Sequence, residues 1–188
     1  MERRLAAILT ADVVGYARLM GEDEAGTLER LKAHRRELID PKVAEHRGRI
    51  VKLMGDGALV EFDSVVNAVA CAAAIQREMV VRSAAEPKAQ RIEFRIGINL
   101  GDVIVEGDDI YGDGVNIAAR LESLADPGGI CLSATVHQHI KAKLDLEFED
   151  LGEHRFKNIA EPIRAFRIRS TSAAGFRLFN GAWRRERN

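Results

Sequence analysis

Residues 50–62 read Ile-Val-Lys-Leu-Met-Gly-Asp-Gly-Ala-Leu-Val-Glu-Phe, and this stretch leaves little freedom in local fold. Two short apolar runs meet at Gly55-Asp56-Gly57, where glycine supplies the positive φ of a tight turn, so the stretch predicts a β-hairpin with a carboxylate at its tip. Lys52 stands four residues before Asp56 in a strand that otherwise reads as buried, on the same side of the pleat as Met54 and Asp56. A surface hairpin also places charge at its turn. Lys52 and Asp56 therefore become candidates only through what the rest of the chain adds.

At 188 residues the chain has room for one domain with a sizeable core. We expect that domain over residues 1–169 and a basic, aromatic tail over 170–188, loosely ordered or docked on a regulatory partner. Apolar residues at 46% and charged residues at 30% describe an ordinary globular protein. The net charge of -1 offers no general attraction to nucleic acid or to an anionic membrane, so any anionic ligand needs a local cluster of positive groups. The longest apolar stretch, residues 65–75, is broken by Asn67 and too short to span a bilayer, and the start carries no cleavage signal. The reading is a soluble, cytoplasmic protein with Cys71 and Cys131 reduced and buried.

Residues 5–14 are apolar apart from Thr10 and Asp12, which suits a strand covered on both faces. Asp12 near its end either caps a helix starting around Gly15 or binds a cation. A helix is expected over residues 23–46, bent at Pro41, and a second one after a Ser64 cap. Residues 92–99 alternate, with Ile92, Phe94, Ile96 and Ile98 on one face and Arg95 and Asn99 on the other. Taken alone, Arg95 fits a solvated position on an open sheet face. Leu100-Gly101-Asp102 is expected to turn the chain into a second hairpin. An acidic, glycine-rich loop at 108–114 precedes a helix at 115–125, on which Asn116 and Arg120 project from one face. His137 and His139 are expected at the surface, and a final strand at 163–168.

Two aspartates near strand ends, separated Arg and Lys residues and glycine-rich turns form equipment for a nucleoside triphosphate with divalent metal. Carboxylates suit Mg²⁺, a hard cation that completes its shell with phosphate oxygens. Guanidinium groups suit charge developing on a reacting phosphate. No Gly-x-x-x-x-Gly-Lys-Ser/Thr loop and no kinase signature set is present.

On four motifs the chain resembles the class III nucleotidyl cyclase catalytic domains, over about residues 5–169. They are Thr10-Ala-Asp-Val-Val-Gly-Tyr16, Lys52-Leu-Met-Gly-Asp-Gly57, Phe94-Arg-Ile-Gly-Ile98 and Asp109-Ile-Tyr-Gly-Asp-Gly-Val-Asn-Ile-Ala-Ala-Arg120, in the family's order and spacing. The resemblance implies an α+β fold with a ferredoxin-like βαββαβ core of the polymerase palm type. It implies adenylate cyclase activity on ATP with two Mg²⁺ or Mn²⁺ ions per site, held by Asp12 and Asp56. It implies that Lys52 and Asp109 read the base, Asn116 orients the ribose, Arg120 stabilises the α-phosphate, and Arg95 and Lys157 grip the terminal phosphates. It further implies a head-to-tail homodimer, with Asp12, Asp56 and Arg95 from one chain and the other five residues from its partner. Tyr111 stands where tryptophan is common, and Ala17 where threonine often lies. The competing readings are a non-catalytic nucleotide-binding or dimerisation module, and a guanylate cyclase.

Overall fold

The computed structural model describes residues 1–169, so the expectations for the tail at 170–188 lie outside the described residues. Strand β1 (Glu2–Val13) leads through helices α1 (Tyr16–Glu22) and α2 (Glu24–His34), a π-helical segment (Arg35–Ile39) and α3 (Asp40–Glu45) to strands β2 (Gly48–Met54) and β3 (Gly57–Phe62). Helix α4 (Val65–Ala84) follows, then β4 (Phe94–Glu106), β5 (Asp109–Tyr111), α5 (Asp113–Leu124), β6 (Ile130–Ser133), α6 (Ala134–Ile140), β7 (Phe148–His154) and β8 (Ile163–Ile168). The sheet order is β2-β3-β1-β4-β6-β8-β7, with β5 beside β4. Its first four strands are antiparallel and, with the intervening helices, form the expected βαββαβ core.

The hairpin forms as the sequence requires, with Gly55 at φ 58 and Met54 paired to Gly57. Ser64 caps α4 by accepting from the Asn67 N-H. The expected turn at Gly101 does not form. Strand β4 runs straight through it for 13 residues, held by continuous pairing from Glu2↔Val105 to Val13↔Phe94, and the chain reverses instead between Glu106 and Asp109. A Cβ at Gly101 would lie 3.1 Å from the Gly114 Cα, so this glycine permits the close approach of α5 rather than a turn.

Alternation in β1 and β4 splits the core between the two faces of the sheet. Leu9, Val13, Phe94, Ile96 and Ile98 pack against α4 and its neighbours, while Ala6, Ile8, Leu59, Val103 and Ile110 lie with Ala118 of α5 on the other face. The face carrying Arg95 is therefore not open, because Gly97, Asn99 and Gly101 seat α5 on it, Asn99 Nδ2 donating to the Gly114 carbonyl at 3.0 Å. His137 departs from expectation as well. It is half-buried, stacked on Phe166 at 3.9 Å and edge-on to Phe148 at 4.8 Å. Both cysteines are free and buried. No helix among the described residues is long and apolar enough to cross a membrane.

Candidate active site

Every side chain singled out on β1, β2 and β4 faces the α5 side of the sheet. Asp12 follows Ala6, Ile8 and Thr10 on that face, its cross-strand partner is Arg95, and Lys52 lies opposite Leu59. The register thus converts positions far apart in the sequence into neighbours.

Asp12 and Arg95 form a bidentate pair, Arg95 Nε donating to Oδ1 at 3.1 Å and Nη2 to Oδ2 at 2.7 Å. Asp12 does not cap α1, whose first-cap position is Gly15 with no side-chain hydrogen bond. Asp12 holds the guanidinium's pKa above its ordinary value, first by hydrogen bonding. Asp56 at the hairpin tip is drawn to the same place, its Oδ2 accepting from the Val13 N-H at 3.3 Å, one residue beyond Asp12. The turn is held from the other side by Arg35, whose Nη2 donates to the Gly55 carbonyl at 3.0 Å.

Glu122 of α5 was not picked out from the sequence. Burial pushes its carboxyl up to about 8, and the charge and hydrogen bonding of the adjacent Asp12 add to that shift. A signal for it existed: Glu122 lies one turn after buried Ala118 and next to buried Leu121, so a charged residue sits at the edge of a buried stripe.

The second group lies around β5. Lys52 Nζ donates to Asp109 Oδ2 at 3.0 Å and stands 5.0 Å from the centre of the Tyr111 ring. Asp109 Oδ1 accepts from the Ile110 N-H at 2.7 Å, and the hydrogen bond from Lys52 is the main cause that lowers the Asp109 pKa. The third group is the exposed face of α5, where Asn116 and Arg120 stand one turn apart. Arg120 Nη2 donates to the Lys157 carbonyl at 3.4 Å, which brings the exposed Lys157 and its loop beside the helix. Among the described residues no hydrogen bond or ion pair links Asp12, Asp56 or Arg95 to Lys52, Asp109, Asn116, Arg120 or Lys157.

The carboxylates of Asp12 and Asp56 are hard oxygen donors of the kind Mg²⁺ and Mn²⁺ take. Among the described residues no three His, Cys, Asp or Glu side chains are grouped to hold a metal unaided. A cation at the aspartate pair would complete its shell with phosphate oxygens and water.

The model of one family, described as the adenylate and guanylate cyclase catalytic domain, matches residues 3–169. The chain belongs to this family. It is 50% identical over 163 residues to a putative adenylate cyclase 3 of Rhizobium meliloti, covering 87% of this chain and 28% of that protein. The chain thus spans less than a third of that relative's length. A crystal structure of an adenylate/guanylate cyclase/hydrolase from Silicibacter pomeroyi superposes with a TM-score of 0.84 at 50% identity, covering 89% of this chain and 97% of that one. The adenylyl cyclase CyaB from P. aeruginosa gives a TM-score of 0.75 at 25% identity, covering 90% of this chain and 97% of that one. The α+β fold is the one these cyclase structures share.

Proposed function

We propose that this cyclase domain is an adenylate cyclase that converts ATP to 3′,5′-cyclic AMP and pyrophosphate. The Lys52–Asp109 pair carries the choice of base. Its ammonium can donate to an adenine ring nitrogen and its carboxylate can accept from the exocyclic amine, whereas guanine presents the reverse polarity at that edge. The Rhizobium meliloti relative's name supports the same choice.

The reaction is in-line attack of the ribose 3′-oxygen on the α-phosphorus. The 3′-hydroxyl proton is lost, a new phosphorus–oxygen bond forms, and the bond to pyrophosphate breaks. Asp12 and Asp56 would hold two Mg²⁺ or Mn²⁺ ions, which supply Lewis acidity toward the 3′-oxygen and the phosphates when bound. Asn116 orients the ribose ring. Arg120 donates to the α-phosphate oxygens as their charge develops, while Arg95 and Lys157 bind the terminal phosphates. Positioning and charge stabilisation account for most of the acceleration.

The separation of the Asp12, Asp56 and Arg95 group from the other two supports a site shared between subunits of a head-to-tail homodimer. Asp12, Asp56 and Arg95 of one chain meet the other five of its partner, so a dimer has two equivalent sites. Leu53 and Met54 beside the hairpin tip and Tyr111 beside Lys52 are large side chains left about half exposed, which suits burial by a second copy. A cytoplasmic location fits a nucleoside triphosphate substrate. Incubation with ATP or GTP and Mg²⁺ or Mn²⁺, followed by mass identification of the product, tests the reading. Cyclic AMP from ATP in preference to cyclic GMP is the expected result, and no cyclic nucleotide from either substrate refutes it.

A further inference from the structure

Both carboxylate oxygens of Asp12 are engaged by one guanidinium, at 3.1 and 2.7 Å. A divalent cation ligated by Asp12 draws on the same oxygens at roughly 2.1 Å, and its two positive charges repel the guanidinium held beside it. Cation and arginine therefore compete for one carboxylate. We propose that Arg95 is an internal gate on the cation site, closing Asp12 to metal until the terminal phosphates of a nucleotide draw the guanidinium away. The inference rests on reading Asp12 as a metal ligand and Arg95 as a phosphate ligand.

Three features make the pair a built device rather than a chance surface contact. Asp12 and Arg95 are direct partners in the β1–β4 ladder, and their neighbours Val13, Phe94 and Ile96 are buried, so the backbones stay fixed while the arginine side chain can swing. Both side chains are partly buried, at 22% and 30% exposure, where solvent weakens an ion pair less than at the surface. Asp56 also acts electrostatically on the guanidinium, which thus serves as counter-cation to both aspartates at once.

The charge balance gives the gate its direction. With Arg95 in place, the aspartate pair presents one net negative charge to an incoming dication. With Arg95 withdrawn it presents two, and a dication is attracted more strongly. Nucleotide and metal then favour each other's binding through one side chain, and linkage makes the effect reciprocal.

The full chain and its Arg95→Gln, Arg95→Lys and Asp12→Asn variants are titrated with Mn²⁺ alone, without nucleotide, and free Mn²⁺ is read by electron paramagnetic resonance. Arg95→Gln is expected to bind Mn²⁺ about tenfold more tightly than the parent, the scale of losing one bidentate charge-assisted pair, while its cyclase turnover falls. A circular dichroism spectrum matching the parent's shows that the variant is folded, so that a gain in affinity is read from the site. Arg95→Lys keeps the charge but loses the fork and is expected to bind with intermediate affinity. Unchanged or weaker Mn²⁺ binding by Arg95→Gln overturns the gate. So does parent-like binding by Arg95→Lys beside a gain in Arg95→Gln, which would reduce the effect to net charge. Asp12→Asn is expected to weaken binding at least tenfold; parent-like affinity there removes the metal-ligand reading itself, and the gate with it.

Discussion

Replacing Gly97 with alanine tests whether the contact between β4 and α5 controls both stability and turnover. A Cβ at position 97 would lie 2.3 Å from the Ala118 carbonyl oxygen, 2.3 Å from the Glu122 nitrogen and 2.9 Å from the Glu122 Cα. All three are backbone atoms of α5, so no side-chain rotation relieves the clash. Ordinary contact begins near 3.4 Å, and α5 must retreat from the sheet by about 1 Å, which a close-packed interior resists. That movement opens the layer of Ala118 and Leu121, both fully buried. Overpacking of this kind costs about 3 kcal/mol. The same shift moves Asn116 and Arg120 relative to Lys52 and Asp109, and a misplacement of about 1 Å can reduce turnover roughly 10²-fold. Urea denaturation followed by circular dichroism reads the first effect, and cyclic nucleotide production at a temperature where the variant stays folded reads the second. A midpoint unchanged from the parent, with turnover retained, would refute the argument that Gly97 sets the seat of α5.

Three further outcomes are expected. Asp56→Ala and Arg120→Ala should each be inactive, the latter by roughly 10²-fold or more, yet mixing them should restore one intact site per heterodimer; no recovery at any ratio counts against a shared site. Lys52→Ala should erase the preference for ATP over GTP more than it lowers total turnover, and an unchanged ratio in a competition assay would remove Lys52 from base reading. Burial, then the positive charge of Arg82, lowers the pKa of His34 below 6.5, and its Nδ1 accepts from Arg82 Nε at 3.0 Å. Its neutral form is favoured in the fold, so its contribution is complete above pH 6.5 and is lost as the pH falls through the lower folded value. His34→Gln should therefore lose less stability than the parent as the pH falls from 6.5 through that lower value, and parallel denaturation curves would contradict the assignment.

The hairpin at Gly55, the Ser64 cap, the strand of alternating residues from Phe94 and the helical face of Asn116 and Arg120 were legible because each rests on interactions within a few residues. The identities of the candidate groups were legible for the same reason, as short motifs of fixed spacing. Gly101 shows the limit of such reading: its composition signals a turn, but pairing along the whole of β1 outweighs that local preference and the glycine makes room for α5. The pairing of Asp12 with Arg95, 83 residues apart, depends on ladder register, and the perturbed Glu122 depends on which side of the sheet α5 covers. The sequence by itself determined most of the elements and the identity of the candidate groups, since both are written in local pattern. Only the tertiary structure decided which of those groups touch, because contact between distant residues is set by register and helix seating, and neither leaves a local trace.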